Sequence, residues 1–142
     1  MKAHLSRRYH FSASHRLHTD AYDAMRNAAV FGKCNNPHGH GHNYTVQVTF
    51  SGQVDPTTGM VCDLGALDEF ARTNLLERFD HTNLNMLSCF QNKVSTTENL
   101  SIEIYRIFQS FPAAHLERVH IEETSNNSFD YAGEAATAPV TI

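Results

Sequence analysis

The sequence predicts an α+β fold, with two helices packed on one face of a four-stranded antiparallel sheet. Two early segments alternate apolar and polar residues, as half-buried strands do, and two later segments repeat apolar residues at helical spacing. Two further strand patterns follow the helices, which gives the order ββααββ. The 142 residues, 41% of them hydrophobic, are enough to bury a core, so we expect a single domain over residues 1–142.

The two early strands are predicted over residues 7–17 and 40–51. Alternation gives the first strand one mainly apolar face: Tyr9, Phe11, Ala13, His15 and Leu17. It gives the second strand a similar face: His40, His42, Tyr44, Val46, Val48 and Phe50. Residues 18–37 connect the strands, with a short helix expected across residues 20–29. A connection of this length is more often functional than a plain link between elements.

The two helices follow a turn at residues 55–59. Asp63 is suited to cap the first helix, which extends to about Arg78. The apolar stripe of this helix consists of Leu64, Leu67, Phe70, Ala71 and Leu75. Ser95 and Glu98 have the spacing of a capping box and begin the second helix. The apolar stripe of the second helix consists of Leu100, Ile104, Ile107, Phe108 and Phe111.

The last two strands are predicted over residues 118–124 and 129–134. The first of them places Val119, Ile121 and Glu123 on one face, so a carboxylate ends an apolar surface. A carboxylate in that position is suited either to bind a ligand or to pair with a cation at an interface.

Composition excludes several classes of protein. The net charge of −4 argues against a general affinity for nucleic acid or anionic membranes, and no apolar run approaches the ~20 residues of a membrane span. The first residues, MKAHLSRR, lack the apolar region of a signal peptide. The cysteines are too widely spaced for a disulfide framework or a paired-thiolate zinc site: Cys34, Cys62 and Cys89. We therefore expect a cytoplasmic protein with reduced thiols.

Three histidines alternate in the segment HGHGH, residues 38–42. On an extended strand, residues i and i+4 are roughly 13 Å apart, so all three cannot bind one metal ion. Pro37 and Gly39 assign His38 to the preceding loop, which leaves His40 and His42 as the pair on one strand face.

Strand alternation nominates His15 as the third ligand. If the two early strands pair as an antiparallel hairpin, His15 lies on the same face and at the same end as His40 and His42. We call these three residues the histidine triad. Three neutral imidazoles with an open fourth position are typical of a catalytic zinc site. The alternatives are surface histidines that titrate, or core histidines that hydrogen-bond to the backbone.

Five motifs occur in an order that resembles the 6-pyruvoyl-tetrahydropterin synthase family of zinc-dependent lyases, over about residues 7–134. The motifs are FSASHRL, FGKCNNPHGHGHNY, the DH of FDHTNLN, VSTTEN and EETSNN. The resemblance implies the tunnelling fold, in which antiparallel strands from three subunits close a barrel. It further implies that two trimers stack into a homohexamer with active sites between subunits.

The resemblance assigns zinc binding to the histidine triad and acid/base catalysis to Cys34, with Asp80 and His81 as its partners. A nearby cation lowers the pKa of a thiol, which makes Cys34 a credible base. Adjacent residues on an extended segment point apart, so Asp80 need not hydrogen-bond His81 of its own chain. From the residues alone, Cys34 could equally be an inert core thiol, and DH dipeptides are common.

The resemblance also implies that Glu123 anchors the pterin ring. An ionised carboxylate can accept two neighbouring N–H donors of the ring edge. Thr96 and Thr97 offer hydroxyl groups for further contacts to the ring, although they also lie in the expected capping box. No Gly-rich phosphate loop is present, so the substrate's phosphates are expected to meet scattered charges, with Lys33 and Arg16 as candidates.

The implied reaction is that of a carbon–oxygen lyase acting on phosphates in tetrahydrobiopterin biosynthesis. It converts 7,8-dihydroneopterin triphosphate, a small-molecule pterin substrate, into 6-pyruvoyl-tetrahydropterin by eliminating triphosphate. Two alternatives stay open: the sister enzyme 6-carboxy-tetrahydropterin synthase of queuosine biosynthesis, and a non-catalytic module that binds zinc or pterin. The sister enzyme typically has its cysteine closer to the histidine pair than it is here, where Cys34 precedes His40 by six positions.

Overall fold

The computed structural model describes residues 1–134; residues 135–142, which the single-domain prediction includes, lie outside that range. The elements in chain order are β1 (Lys2–His15), α1 (Ala24–Phe31), β2 (His40–Gln53), α2 (Leu64–Ala71), α3 (Glu77–Phe79), β3 (Thr82–Asn83), α4 (Thr97–Gln109), β4 (His115–Glu122) and β5 (Ser128–Tyr131). A 3₁₀ turn, Gly32–Asn35, follows α1, and a π-helical segment, Arg72–Leu76, joins α2 to α3. None of the helices within residues 1–134 has the length and apolar character needed to cross a membrane.

The strands form one mixed sheet in the order β3-β1-β2-β4-β5. The prediction of a four-stranded, wholly antiparallel sheet is therefore wrong, because β3 pairs in parallel with β1 at Ala13 and Ser14. The order ββααββ with two helices is incomplete as well, since α1 precedes β2 and the first predicted helix is divided into α2 and α3. With two residues, β3 is too short to produce an alternation pattern in the sequence. It forms because the chain leaving α3 passes along β1, where the His81 N–H donates to the Ser12 carbonyl over 2.6 Å.

Strands β1 and β2 pair as the long antiparallel hairpin that the sequence predicts. His15 lies directly opposite His40, and Ala13 lies opposite His42. Because side chains alternate across a strand, these residues share one face of the sheet. The hairpin thus carries the histidine triad at the end nearest the 18–37 connection.

The core lies between this face of the sheet and the helices. The predicted helix stripes supply six core residues with 0% exposure: Leu67, Ala71, Leu75, Leu100, Ile104 and Phe108. Leu64, Phe70 and Ile107 also lie on the predicted stripes but are only partly buried. Aromatic contacts join the layers, since the rings of Phe50 and Phe108 lie 6.3 Å apart.

One of the two predicted helix caps is correct and the other is displaced by one residue. The side chain of Asp63 accepts from the Gly65 N–H over 2.9 Å and begins α2. Helix α4 begins after Thr96, whose hydroxyl accepts from the Asn99 N–H, and not after Ser95. Ser95 is instead buried against the segment that follows β1, which removes it from the capping role.

Candidate active site

The histidine triad converges on one point at the end of the β1–β2 hairpin. One ring nitrogen from each residue lies within 4.8 Å of the other two, and the Nε2 atoms of His15 and His40 are 3.0 Å apart. Nitrogen ligands of a tetrahedral zinc ion are separated by about 3.4 Å, given Zn–N bonds near 2.1 Å. The triad is therefore spaced as ligands of a single ion.

Hydrogen bonding fixes the orientation of His15. Its Nδ1 lies 2.7 Å from the carbonyl oxygen of Ser95, immediately before α4. A carbonyl can only accept, so Nδ1 carries the proton and Nε2 presents its lone pair. A metal-binding histidine usually donates its other ring N–H to a carbonyl or carboxylate in this way, which fixes its tautomer and orientation. Sequence reasoning missed Ser95 in this role, because a backbone carbonyl leaves no side-chain signal.

His42 supplies the clearest test of whether a metal fits. Its Nε2 is buried and has no hydrogen-bond partner among residues 1–134; the nearest carboxylate oxygen, Oε1 of Glu123, lies 3.6 Å away. A buried nitrogen without a partner is costly in a folded protein unless a ligand satisfies it. Burial also lowers the pKa of both His15 and His42, which favours the neutral form that binds metal. These donors fit a Zn²⁺ ion.

The lowered pKa values predict that the metal-free protein loses stability in mild acid. Below the ordinary histidine pKa of 6.5, the unfolded chain binds protons that folded His15 and His42 resist, so the free energy of unfolding falls as the pH falls through that range. Urea denaturation of metal-free protein between pH 7.5 and 5 measures the slope of the free energy of unfolding against pH. The double variant His15→Gln, His42→Gln should show a shallower slope, and an equal slope in both proteins would contradict the assignment.

Glu123 and Thr97 form a polar pair beside the triad. Glu123 directly follows β4, and the Thr97 hydroxyl, buried in the first turn of α4, donates to its carboxylate. The pair faces His42 through the 3.6 Å approach of Glu123. Thr96 caps α4 with its hydroxyl oxygen, so the structure separates the two threonines that the sequence grouped together.

Tyr44 is a further residue at this site whose position the sequence did not connect with function. It follows His42 on the same face of β2 and is 1% exposed, and its hydroxyl has no hydrogen-bond partner within the described chain. Burial raises the pKa of Tyr44 and the nearby Glu123 carboxylate raises it further, whereas the neighbouring Thr97 hydroxyl lowers it. Strand alternation was the available signal, since it aligns Tyr44 with the histidine pair.

Replacing Tyr44 with phenylalanine is expected to leave stability unchanged or to increase it by up to about 1 kcal/mol. The reason is that the substitution removes a buried hydroxyl that makes no hydrogen bond. Tyr9→Phe is the matched control: that hydroxyl donates to Asp68 over 2.8 Å, so its removal should cost about 1 kcal/mol. Urea denaturation of the metal-free variants compares them. A loss in Tyr44→Phe as large as that in Tyr9→Phe would show that the hydroxyl has a structural partner.

Cys34 lies in the 3₁₀ turn after α1, and this turn is attached to the segment that follows His15. The Cys34 carbonyl accepts from the Leu17 N–H over 2.8 Å, and the Asn35 side chain donates to the Leu17 carbonyl over 2.7 Å. Cys34 is partly exposed, which is consistent with a reactive thiol. The ion-binding group found within residues 1–134 consists of the triad without Cys34.

Asp80 and His81 contact each other but not the triad. His81 adopts a left-handed conformation, with φ of 59°, which brings its Nδ1 to 3.0 Å from Asp80 Oδ1. Sequence reasoning, which assumed extended backbone here, did not anticipate this contact. The Ser12 N–H donates to Asp80 over 2.9 Å and, with His81, lowers the pKa of that carboxyl.

His81 is 85% exposed and lines two surface grooves with Ser12 and Asn43, which belong to the polar face of the sheet; His42 also lines one of these grooves. The triad belongs to the opposite face. Within residues 1–134, no hydrogen bond links the pair to the triad.

The chain matches the family described as 6-pyruvoyl tetrahydropterin synthase over residues 4–134. The chain belongs to this family. It is 45% identical to the human protein named 6-pyruvoyl tetrahydrobiopterin synthase, over 94% of this chain and 93% of that one. It is 46% identical to the Drosophila melanogaster protein of the same name, over 92% of this chain and 80% of that one.

A solved structure supports the same assignment of the 6-pyruvoyl tetrahydropterin synthase family. The Caenorhabditis elegans 6-pyruvoyl tetrahydropterin synthase superposes with a TM-score of 0.90 at 41% identity, over 94% of this chain and 97% of that chain. The family predicted from five sequence motifs is therefore confirmed, and so is the α+β class of the fold.

Proposed function

We propose that this member of the 6-pyruvoyl tetrahydropterin synthase family is a zinc-dependent carbon–oxygen lyase of the cytoplasm. It converts 7,8-dihydroneopterin triphosphate into 6-pyruvoyl-tetrahydropterin and inorganic triphosphate. The observation that carries the proposal is the convergence of three imidazole nitrogens, one of them buried without a partner, beside the Glu123–Thr97 pair. The names of the relatives support the substrate class.

The histidine triad would hold Zn²⁺, which supplies Lewis-acid polarisation of substrate oxygens when it is bound. His15 is oriented for this by its bond to the Ser95 carbonyl. Glu123 would accept two N–H donors of the pterin edge, and its bond from Thr97 holds the carboxylate in place. Because Glu123 approaches His42, the ring would lie directly beside the triad.

Cys34 would act as the base that removes a proton from the substrate side chain, in the manner of a thiolate near a cation. Asp80 and His81 would exchange protons with the substrate. Because this pair lines the polar face of the sheet, it would serve the triad of another subunit. That requirement supports an oligomer in which each active site is shared between chains, and the family resemblance makes this oligomer a homohexamer, a dimer of trimers.

Incubating zinc-loaded protein with 7,8-dihydroneopterin triphosphate tests the proposed function. The expected products, identified by mass spectrometry, are 6-pyruvoyl-tetrahydropterin and inorganic triphosphate. Release of acetaldehyde would indicate the 6-carboxy activity instead. Binding of the substrate without release of triphosphate would indicate a non-catalytic module. Light scattering of the same sample measures the oligomeric state, and a monomer that turns over substrate would contradict the shared site.

A further inference from the structure

A cavity of about 560 Å³ opens beside the histidine triad and contacts it at His15. Its wall is formed by the segment that follows β1, the turn that precedes β2, and the segment that precedes α4. Glu123 meets the triad elsewhere, since it approaches His42 and does not line the cavity. The triad therefore has the Glu123 carboxylate beside His42 and a large cavity beside His15.

The cavity is rich in cations and hydrogen-bond donors. Arg16 and Lys93 line it, together with the side-chain amides of Asn83 and Asn92. Asp20 is the single carboxylate in its lining among residues 1–134, and that side chain is fully exposed at the rim. Such a lining is suited to a polyanion and not to a neutral or cationic ligand.

Arg16 is held at the cavity wall by bonds that leave most of its guanidinium available. Its Nε donates to the Asn35 carbonyl over 3.0 Å, and its backbone N–H donates to Asn85 Oδ1 over 2.7 Å. Within residues 1–134, Arg16 pairs with no carboxylate. A fixed arginine without an acidic partner is pre-organised to bind phosphate oxygens through two parallel N–H donors.

Lys93 adds positive charge to the lining of the cavity. Its ammonium donates to Glu103, which also accepts from Arg106 over 3.0 Å. Two cations therefore share one carboxylate, so the group of three side chains keeps a net positive charge.

We propose that this cavity binds the triphosphate of the substrate, with Arg16 as the principal cation and Lys93 as the second. The inference rests on the function proposed above. The substrate carries its pterin ring, hydroxylated side chain and triphosphate in that order, and the site presents Glu123, the triad and the cationic cavity in the same order. Of the two sequence candidates, Arg16 lines the cavity and Lys33 does not.

Isothermal titration of the zinc-loaded protein with inorganic tripolyphosphate tests the subsite, with zinc content measured afterwards because the ligand can chelate metal. Arg16→Gln and Lys93→Gln should each weaken tripolyphosphate binding, by roughly tenfold or more for Arg16→Gln. Both should raise the KM of the triphosphate substrate more than they lower kcat. Affinity for a dihydropterin without phosphate should change by less than about twofold. Arg8→Gln is the matched control, since Arg8 bonds to Gln47 on the polar face of the sheet and does not line the cavity.

Equal losses for tripolyphosphate and for the unphosphorylated pterin would overturn the subsite, and so would unchanged tripolyphosphate binding in both variants. Lys93→Gln keeps the test valid should Arg16→Gln fail to fold. Tripolyphosphate binding that depends on Arg16, in a protein that does not turn over the substrate, would contradict the proposed function and support the subsite. Turnover of the substrate that is unchanged in Arg16→Gln and Lys93→Gln would support the proposed function and contradict the subsite.

Discussion

Replacing His42 with alanine is expected to remove both zinc and turnover. The zinc content should fall from one ion per chain to a trace, because two neighbouring imidazoles do not complete a zinc site. Turnover should fall by roughly 10³-fold or more, since Lewis-acid stabilisation of several kcal/mol is lost. The buried Nε2 without a partner makes His42 the most direct of the three ligands to test. Metal analysis by atomic absorption and the product assay measure the two effects.

His115→Ala is the control for this prediction. His115 pairs with Ser51 at the far end of the sheet from the triad, and its side chain is 74% exposed. This variant should keep both zinc and turnover. Zinc content in His42→Ala equal to that of the wild type would remove the metal assignment, even if turnover were lost.

Replacing Cys34 with alanine is expected to separate the metal from the catalysis. The variant should retain zinc, because the ion-binding group consists of the triad without Cys34. Its kcat should fall by roughly 10²- to 10⁴-fold, the usual contribution of a positioned acid or base. Metal analysis and the product assay, run on the same preparation, give both results.

Cys89→Ala is the matched control, because burial raises the pKa of that thiol and disfavours the reactive thiolate. It should retain zinc and turnover. Full turnover by Cys34→Ala would remove the assignment of Cys34 as the base. Loss of zinc from Cys34→Ala would instead make the thiol a metal ligand and change the expected coordination.

The position of the triad could be predicted from the sequence because it depends on strand alternation alone. Once β1 and β2 pair as a hairpin, the period of two places His15 on the face of His40 and His42. The helix stripes were predictable for a similar reason, since a repeat of 3.6 residues fixes the buried face. Each of these features requires only a pattern within one or two segments.

The features that sequence reasoning missed depend on tertiary contacts or on single backbone conformations. Strand β3 exists because the chain after α3 meets β1, and His81 contacts Asp80 because one residue adopts a positive φ. The role of the Ser95 carbonyl depends on where the segment before α4 meets the end of β1. No periodic pattern encodes such contacts.

Anomalous diffraction at the zinc edge, from crystals grown without added metal, tests the central claim most directly. The claim predicts one peak per chain, at about 2.1 Å from one ring nitrogen each of His15, His40 and His42. A peak held by other residues, or a map in which His15 points away from the other two histidines, would contradict it.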